Sequence, residues 1–243
     1  MFSPKTELRQ LEPQEARAQE LLLLASWDGA SCAGTTSYRK KAERVLQCNV
    51  AIEEHPWTCK LRECPACNSR KAEKLRYEFV KAINSMKHPV LVLITLWSLN
   101  LDDLGQTIKV FRRLFLRFRR TSLRSVPTAT GMIEPKLAKN RRFWALHAHI
   151  VLDAAALRWC DLREDWSRLT GNRGRFGEDD RRVDRRPFSL AAYVVSGKDS
   201  CPAPGTMAPA NLDRLWRALY RVQLPINWGP RIKRGRHARA VTK

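Results

Sequence analysis

The chain has 243 residues, 44% of them hydrophobic, so it can bury a sizeable core and wholesale disorder is excluded. Its longest apolar runs, Leu21–Ala25 and Val90–Trp97, stop far short of the roughly 20 residues that cross a bilayer, and its charged N-terminus lacks the basic-then-apolar order of a signal peptide, so a cytoplasmic protein is expected. With 45 Lys and Arg against 24 Asp and Glu, the formal net charge is +21, an excess that repels itself unless a polyanion lies against it.

Much of that excess is clustered arginine. Arg112, Arg113 and Arg117 form one group, Arg141 and Arg142 a second, and Arg185 and Arg186 a third. Guanidinium groups fork onto phosphate oxygens, so these residues are the expected contacts to a nucleic-acid backbone. The basic segments are spread along the chain and not gathered into one amphipathic anchor, which argues against a membrane surface as partner.

In chain order, residues 5–27 read as a helix of mixed charge ending in Leu21–Leu24, and residues 28–47 as a loop and a short basic helix. A cysteine-rich stretch, 48–68, precedes a long helix over Asn68–Met86, whose Ala72, Leu75, Phe79, Ile83 and Met86 keep three-four spacing. Val90–Trp97 is a continuous branched apolar run, as in a buried strand. Asp102 and Asp103 open a helix to about Arg120. Thr128–Glu134 reads as a strand, Pro135–Asn140 as a turn, Phe143–Leu152 as a second strand and Ala154–Leu169 as a helix. Residues 171–184 hold at most one short strand. Pro187 opens a further helix that Gly197 ends. CPAPGTMAPA, 201–210, reads as a linker, Asn211 as the cap of a last helix to about Arg221, and the segment from Asn227 as a basic tail. The expected fold is α+β, an antiparallel sheet with helices on one face, preceded by a small helical zinc-binding region. Its expected divisions are 1–47, 48–87, 88–200 and 201–243.

Seven cysteines are present, an odd number, and four crowd between 48 and 67, which suits a reducing compartment and a metal better than disulfides. Cys64-Pro-Ala-Cys67 places two thiolates on one tight turn, and Cys59 and Cys48 can complete a tetrahedral Zn²⁺ site; His55 is an alternative to Cys48. A closed four-ligand site supports folding. Cys32, Cys160 and Cys201 are isolated and read as packing thiols.

Trp144-Ala-Leu-His147-Ala-His149 reads as a strand whose period of two sends both imidazoles to one face and Trp144, Leu146, Ala148 and Ile150 to the other. Two imidazoles one pleat apart can share a divalent cation. A hairpin would bring Glu134 beside them and complete a two-His-one-carboxylate set. Farther on, Tyr193 lies in Phe188-Ser-Leu-Ala-Ala-Tyr193-Val-Val, either as a core aromatic or as a nucleophile whose attack a neighbouring metal assists.

Together these features resemble the rolling-circle replication initiators of small bacterial plasmids, in the HUH endonuclease superfamily, over most of residues 48–200. The Cys-Pro-x-Cys cluster and the helix after it look like the family's N-terminal element. Ile94-Thr95-Leu96 is similar to its first motif, His147 and His149 to its His-hydrophobic-His motif, and Tyr193 to its nucleophile. The resemblance implies a ferredoxin-like nuclease core over 88–200. It also implies Mg²⁺ or Mn²⁺ on His147, His149 and Glu134, and Tyr193 as the residue that nicks single-stranded or hairpin origin DNA. The product would be a 5′-phosphotyrosine and a 3′-OH that primes synthesis, with a host helicase and polymerase as partners. The chain contains no GxxxxGK[ST] loop, so the helicase would be a separate protein.

The chain departs from the pattern at two positions. Relatives from Gram-positive plasmids carry a Glu four residues before the Tyr, where Ser189 stands here. Glu178, Asp179, Asp180 or Asp184, or Tyr193 of a second copy in a homodimer, would have to end the reaction. The family's Lys follows the Tyr by three or four residues, whereas Lys198 stands at the fifth. A transposase or relaxase shares the same His pair and Tyr. A zinc-containing nucleic-acid-binding protein without catalysis is the alternative of another class.

Overall fold

One strand, Trp144–Asp153, sets the layout. Its even-numbered residues Trp144, Leu146, Ala148, Ile150 and Leu152 are buried in the larger core, while His147, His149 and Val151 point the other way. A computed structural model describes residues 12–26, 37–48, 51–52, 55–56, 58–61, 63–138, 142–155, 157–178, 186–195, 205–220, 222 and 224–229. Within them run α1 (Pro13–Ser26), α2 (Tyr38–Leu46), a small ribbon of β1 (Ala51–Ile52) and β2 (His55–Pro56), α3 (Pro65–Asn84), β3 (Pro89–Trp97) and α4 (Leu104–Thr121). There follow β4 (Ala129–Leu137), β5 (Trp144–Asp153), α5 (Trp159–Thr170), β6 (Gly174–Glu178), α6 (Pro187–Val195), α7 (Pro209–Leu219) and β7 (Pro225–Trp228).

The main sheet has five strands in the order β6-β3-β5-β4-β7, every neighbouring pair antiparallel. Against one face, α4 buries Ile108, Phe111, Phe115 and Phe118, the stripe its three-four spacing predicts, and α5 adds Leu162 and Trp166. The same cluster takes in α1, α2 and α7. The expectation of helices on one face alone is corrected by α3 and α6. Phe79 and Ile83 of α3 and Leu190, Ala191 and Val194 of α6 form a second core with Leu91 and Val151. Those two sheet residues are apolar and lie on the histidine face, and burying them requires a helical layer there as well.

Several boundaries move for identifiable reasons. The strand expected to end at Glu134 runs on through Pro135 to Leu137. The Ile133 N–H donates to the Leu224 carbonyl on the β7 side, so Pro135, two residues on, turns its missing N–H to the same side, beyond the end of β7 at Pro225. The long helix opens at Pro65 with Cys64 as its N-cap, inside the cysteine cluster and not after it. The helix expected from Ala154 begins at Trp159 and closes on Gly171 at φ 58°, a left-handed cap. The last helix opens with Pro209, not with a cap at Asn211. Residues 225–228 are a strand paired with β4, so the basic tail expected from Asn227 does not begin there. From the expected divisions 1–47 and 201–243, α1, α2 and α7 share the main hydrophobic cluster with the sheet.

Gly174 marks a close approach. A Cβ there would lie 2.6 Å from Trp166 Nε1 and 2.7 Å from the Thr95 carbonyl oxygen, on the line where the buried indole N–H donates to that carbonyl at 3.0 Å. Gly174→Ala is expected to cost about 1–3 kcal/mol, read as a lower midpoint of urea unfolding at unchanged slope.

Candidate functional site: a thiol quartet and a polar sheet face

The four crowded cysteines converge. The Sγ atoms of Cys48, Cys59, Cys64 and Cys67 all lie within 4.8 Å of one another, with Cys48–Cys67 at 3.5 Å and Cys59–Cys67 at 3.6 Å. Tetrahedral zinc with Zn–S bonds of about 2.3 Å sets its sulfurs about 3.8 Å apart, so the donor set and its spacing fit such an ion. Cys48 takes the place for which His55 was the alternative; the His55 side chain lies outside the described residues.

Local structure explains the convergence. Cys64 is the N-cap of α3 and Pro65 occupies the favoured first position, which puts Cys67 in the first turn. The chain around the quartet is tied at its backbone: Gln14 Nε2 donates to the Cys48 carbonyl at 2.6 Å and Arg44 Nη2 to the Cys59 carbonyl at 2.6 Å. Buried Lys41 and Glu63 pair at 2.8 Å beside it.

Burial pushes the Cys64 thiol up to about 11 and the Cys59 thiol higher still. At Cys48 burial also opposes ionisation, but the Cys59 backbone N–H and the neighbouring thiols together outweigh it and lower that thiol. A divalent ion among the four sulfurs would supply the charge that offsets this burial and lets the thiols ionise. Of the remaining cysteines, Cys160 is exposed, not a packing thiol. Cys32 and Cys201 lie outside the described residues.

The second feature is the odd-numbered face of the sheet. Glu134 on β4 pairs with His147 on β5, which pairs with Thr95 on β3, which pairs with Arg175 on β6. These side chains form one row across four strands. His149 stands one pleat along, beside Met132 and Leu93. The two imidazole rings are near parallel with centroids 6.4 Å apart, and His149 Nε2 lies 3.8 Å from Glu134 Oε2. His149 is buried and His147 half-buried. Among the described residues, only the cysteine quartet gathers three or more ligand atoms within 4.8 Å. The His147, His149 and Glu134 set shares a face without that degree of convergence.

Other expected residues fall in different places. The Tyr193 backbone lies in α6, on the helix that covers the histidine face; its side chain, and all of Lys198, lie outside the described residues. So do Arg141 and Arg185. Ser189 is half-buried on α6. Arg112, Arg113 and Arg117 are exposed on α4, the layer behind the sheet, so the structure does not bring them to the histidines. Arg142 is exposed just before β5 and Arg186 just before α6. Trp97 and Arg175 were not among the sequence candidates. The alternation of β3 places Trp97 on the histidine face, but nothing in GRFGE announces that β6 pairs with β3.

No helix of the described residues is long and apolar enough to cross a membrane. Comparison with known protein families, curated proteins and solved structures yields no match.

Metal analysis of the purified chain is expected to find about one tightly held zinc. Cys64→Ser should release it and lower the thermal midpoint by several degrees. Retention of both zinc and midpoint in that variant would remove Cys64 from the ligand set.

Proposed function

We propose that the protein is a metal-dependent tyrosine endonuclease and strand transferase that acts on single-stranded DNA, of the rolling-circle plasmid initiator type. One observation carries the reading: Glu134, His147 and His149 stand together on the polar end of a sheet face whose other end is packed under the helix bearing Tyr193. The net charge of +21 supports a polyanionic substrate.

In this reading His147, His149 and Glu134 hold Mg²⁺ or Mn²⁺. The donor set of two imidazoles and a carboxylate suits such an ion, and His149 Nε2 and Glu134 Oε2 stand 3.8 Å apart on that face. When bound, the cation polarises a phosphoryl oxygen and orients the phosphodiester. The Tyr193 hydroxyl oxygen attacks phosphorus and gives up its proton, the P–O3′ bond breaks, and the departing oxygen is protonated to a 3′-OH. The 5′ phosphate stays on Tyr193, and a host polymerase extends the free end. The energy of the phosphodiester is kept in the tyrosyl link, so the strand can later be rejoined without a nucleotide cofactor. Ser189 cannot serve as the base that activates water, so one of Glu178, Asp179, Asp180 or Asp184, or a second Tyr193 from a homodimer partner, ends the cycle. The zinc-bound quartet is structural: it anchors α3, and α3 packs against α6.

A second reading, a zinc-containing nucleic-acid-binding protein without catalysis, is favoured by one observation, the looser gathering of His147 relative to the cysteine quartet.

The two readings separate in one assay. Wild-type protein with Mn²⁺ and a single-stranded origin oligonucleotide should give a covalent adduct on a denaturing gel, and Tyr193→Phe should give none while keeping salt-sensitive binding. An adduct from Tyr193→Phe would exclude that residue as nucleophile. Wild-type binding without any adduct would favour the non-catalytic reading. His147→Ala should lower adduct formation by about 100-fold or more.

A further inference from the structure

We propose that Arg175, held over Trp97, is a phosphate clamp for the nucleotide next to the one at the metal-binding row, so that single-stranded DNA crosses the sheet from β5 toward β6. The inference rests on the site reading above for what happens at the row, but its own content is a DNA contact.

The strand register carries it. Arg175, Thr95 and His147 are successive cross-strand partners, so Arg175 shares the face and the row of the histidine. Two strand spacings separate Arg175 from His147, about 10 Å between backbones. The Arg175 backbone N–H donates to Thr95 Oγ1 at 3.1 Å, which fixes the base of the side chain against a buried threonine. The guanidinium carbon lies 5.4 Å from the Trp97 ring centroid. A stack of this kind restricts the guanidinium plane and leaves its N–H edge directed outward.

Charge and exposure complete the case. Arg175 is exposed, and among the described residues no carboxylate pairs with its guanidinium. A cation that is exposed and pre-oriented by its stack beside a row of metal donors is suited to a phosphate oxygen, and its entropy of ordering is already reduced. The exposed arginines of α4 lie on the helical layer behind the sheet and do not share this row, and Arg119 of α4 stacks instead on Trp228 of the opposite edge strand. β6 is an edge strand, and a charged residue there also discourages edge-to-edge pairing. That role needs only a charge, which a lysine would supply, whereas the stacked fork requires arginine.

The test uses the full chain with zinc in place and a labelled oligothymidylate, whose binding is followed by fluorescence anisotropy over a salt series. Arg175→Gln is expected to weaken binding about tenfold at moderate salt. It should also reduce the slope of log K against log salt by about 0.7, the share of one phosphate contact on a single strand. Arg175→Lys should restore the slope but not the affinity. Trp97→Leu should weaken affinity at unchanged slope. In adduct formation the loss should appear in KM more than in kcat. An unchanged affinity and slope in Arg175→Gln would overturn the proposal, and so would full recovery of affinity by Arg175→Lys. Neither outcome bears on the nuclease reading, which stands or falls on the wild-type and Tyr193→Phe adducts. If wild type forms no adduct, the binding series alone still decides whether Arg175 meets DNA.

Discussion

The register of β5 between β3 and β4 is the constraint on which the site depends. Side chains on a strand alternate, so sliding β5 by one residue against its neighbours would turn Trp144, Leu146, Ala148 and Ile150 to the polar face and drive His147 and His149 into the core. The apolar set is completely buried in the observed register, and the cost of losing that burial fixes the histidines where they are. The chemistry of the face is thus held in place by packing on its other side. Thr95, Glu134 and Arg175 then join the row only because β3, β4 and β6 pair with β5, or with each other, in one antiparallel order.

The N-terminal region is fastened by different forces. Behind the thiol quartet lies a seam of buried polar pairs: Arg17 with Glu20, Lys41 with Glu63, and the Tyr38 hydroxyl donating to Asp213 of α7. Burial raises the Glu20 carboxyl, with Arg17 pulling the other way and the Gly205 N–H donating to it. Burial and the bond to Asp213 raise the Tyr38 hydroxyl. Buried pairs of this kind add little net stability, but breaking one leaves a charge without a partner, so they specify which surfaces dock. Here Tyr38–Asp213 joins α2 to α7, Lys41–Glu63 joins α2 to the segment that leads into α3, and Arg17, which also lies over the Trp216 ring, joins α1 to α7. Seam and quartet together hold the start of α3, whose later turns lie under α6 and carry Phe79 and Ile83 into the second core.

The positive charge is divided between two layers. The α4 arginines project from the helical layer that covers the main core, while Arg175 stands on the histidine face. A polyanion that met both would have to pass around a sheet edge, either at β6 or at β7. The edges differ in their neighbours: β6 presents Arg175 over Trp97, and β7 presents Trp228 with Arg119 over its ring at 5.0 Å.

The sequence by itself determined whatever is carried by short-range pattern. Period-two alternation along 144–152 placed both histidines on one face, three-four spacing found the buried stripe of α4, and Cys-Pro-x-Cys marked the knuckle that four thiols close. Each of these is a local rule, legible within one or two turns or pleats. The second helical layer, the continuation of β4 through Pro135 and the return of residues 225–228 to the sheet were not legible, because each depends on which distant segment lies alongside. Pro135 is tolerated only because β7 ends before reaching it, and the apolar residues of α6 need a layer only because Leu91 and Val151 face them. Arg175 came into view for the same reason. Its segment, Gly-rich and short, carries no pattern of its own, and tertiary pairing with β3 alone put a guanidinium in the row of His147.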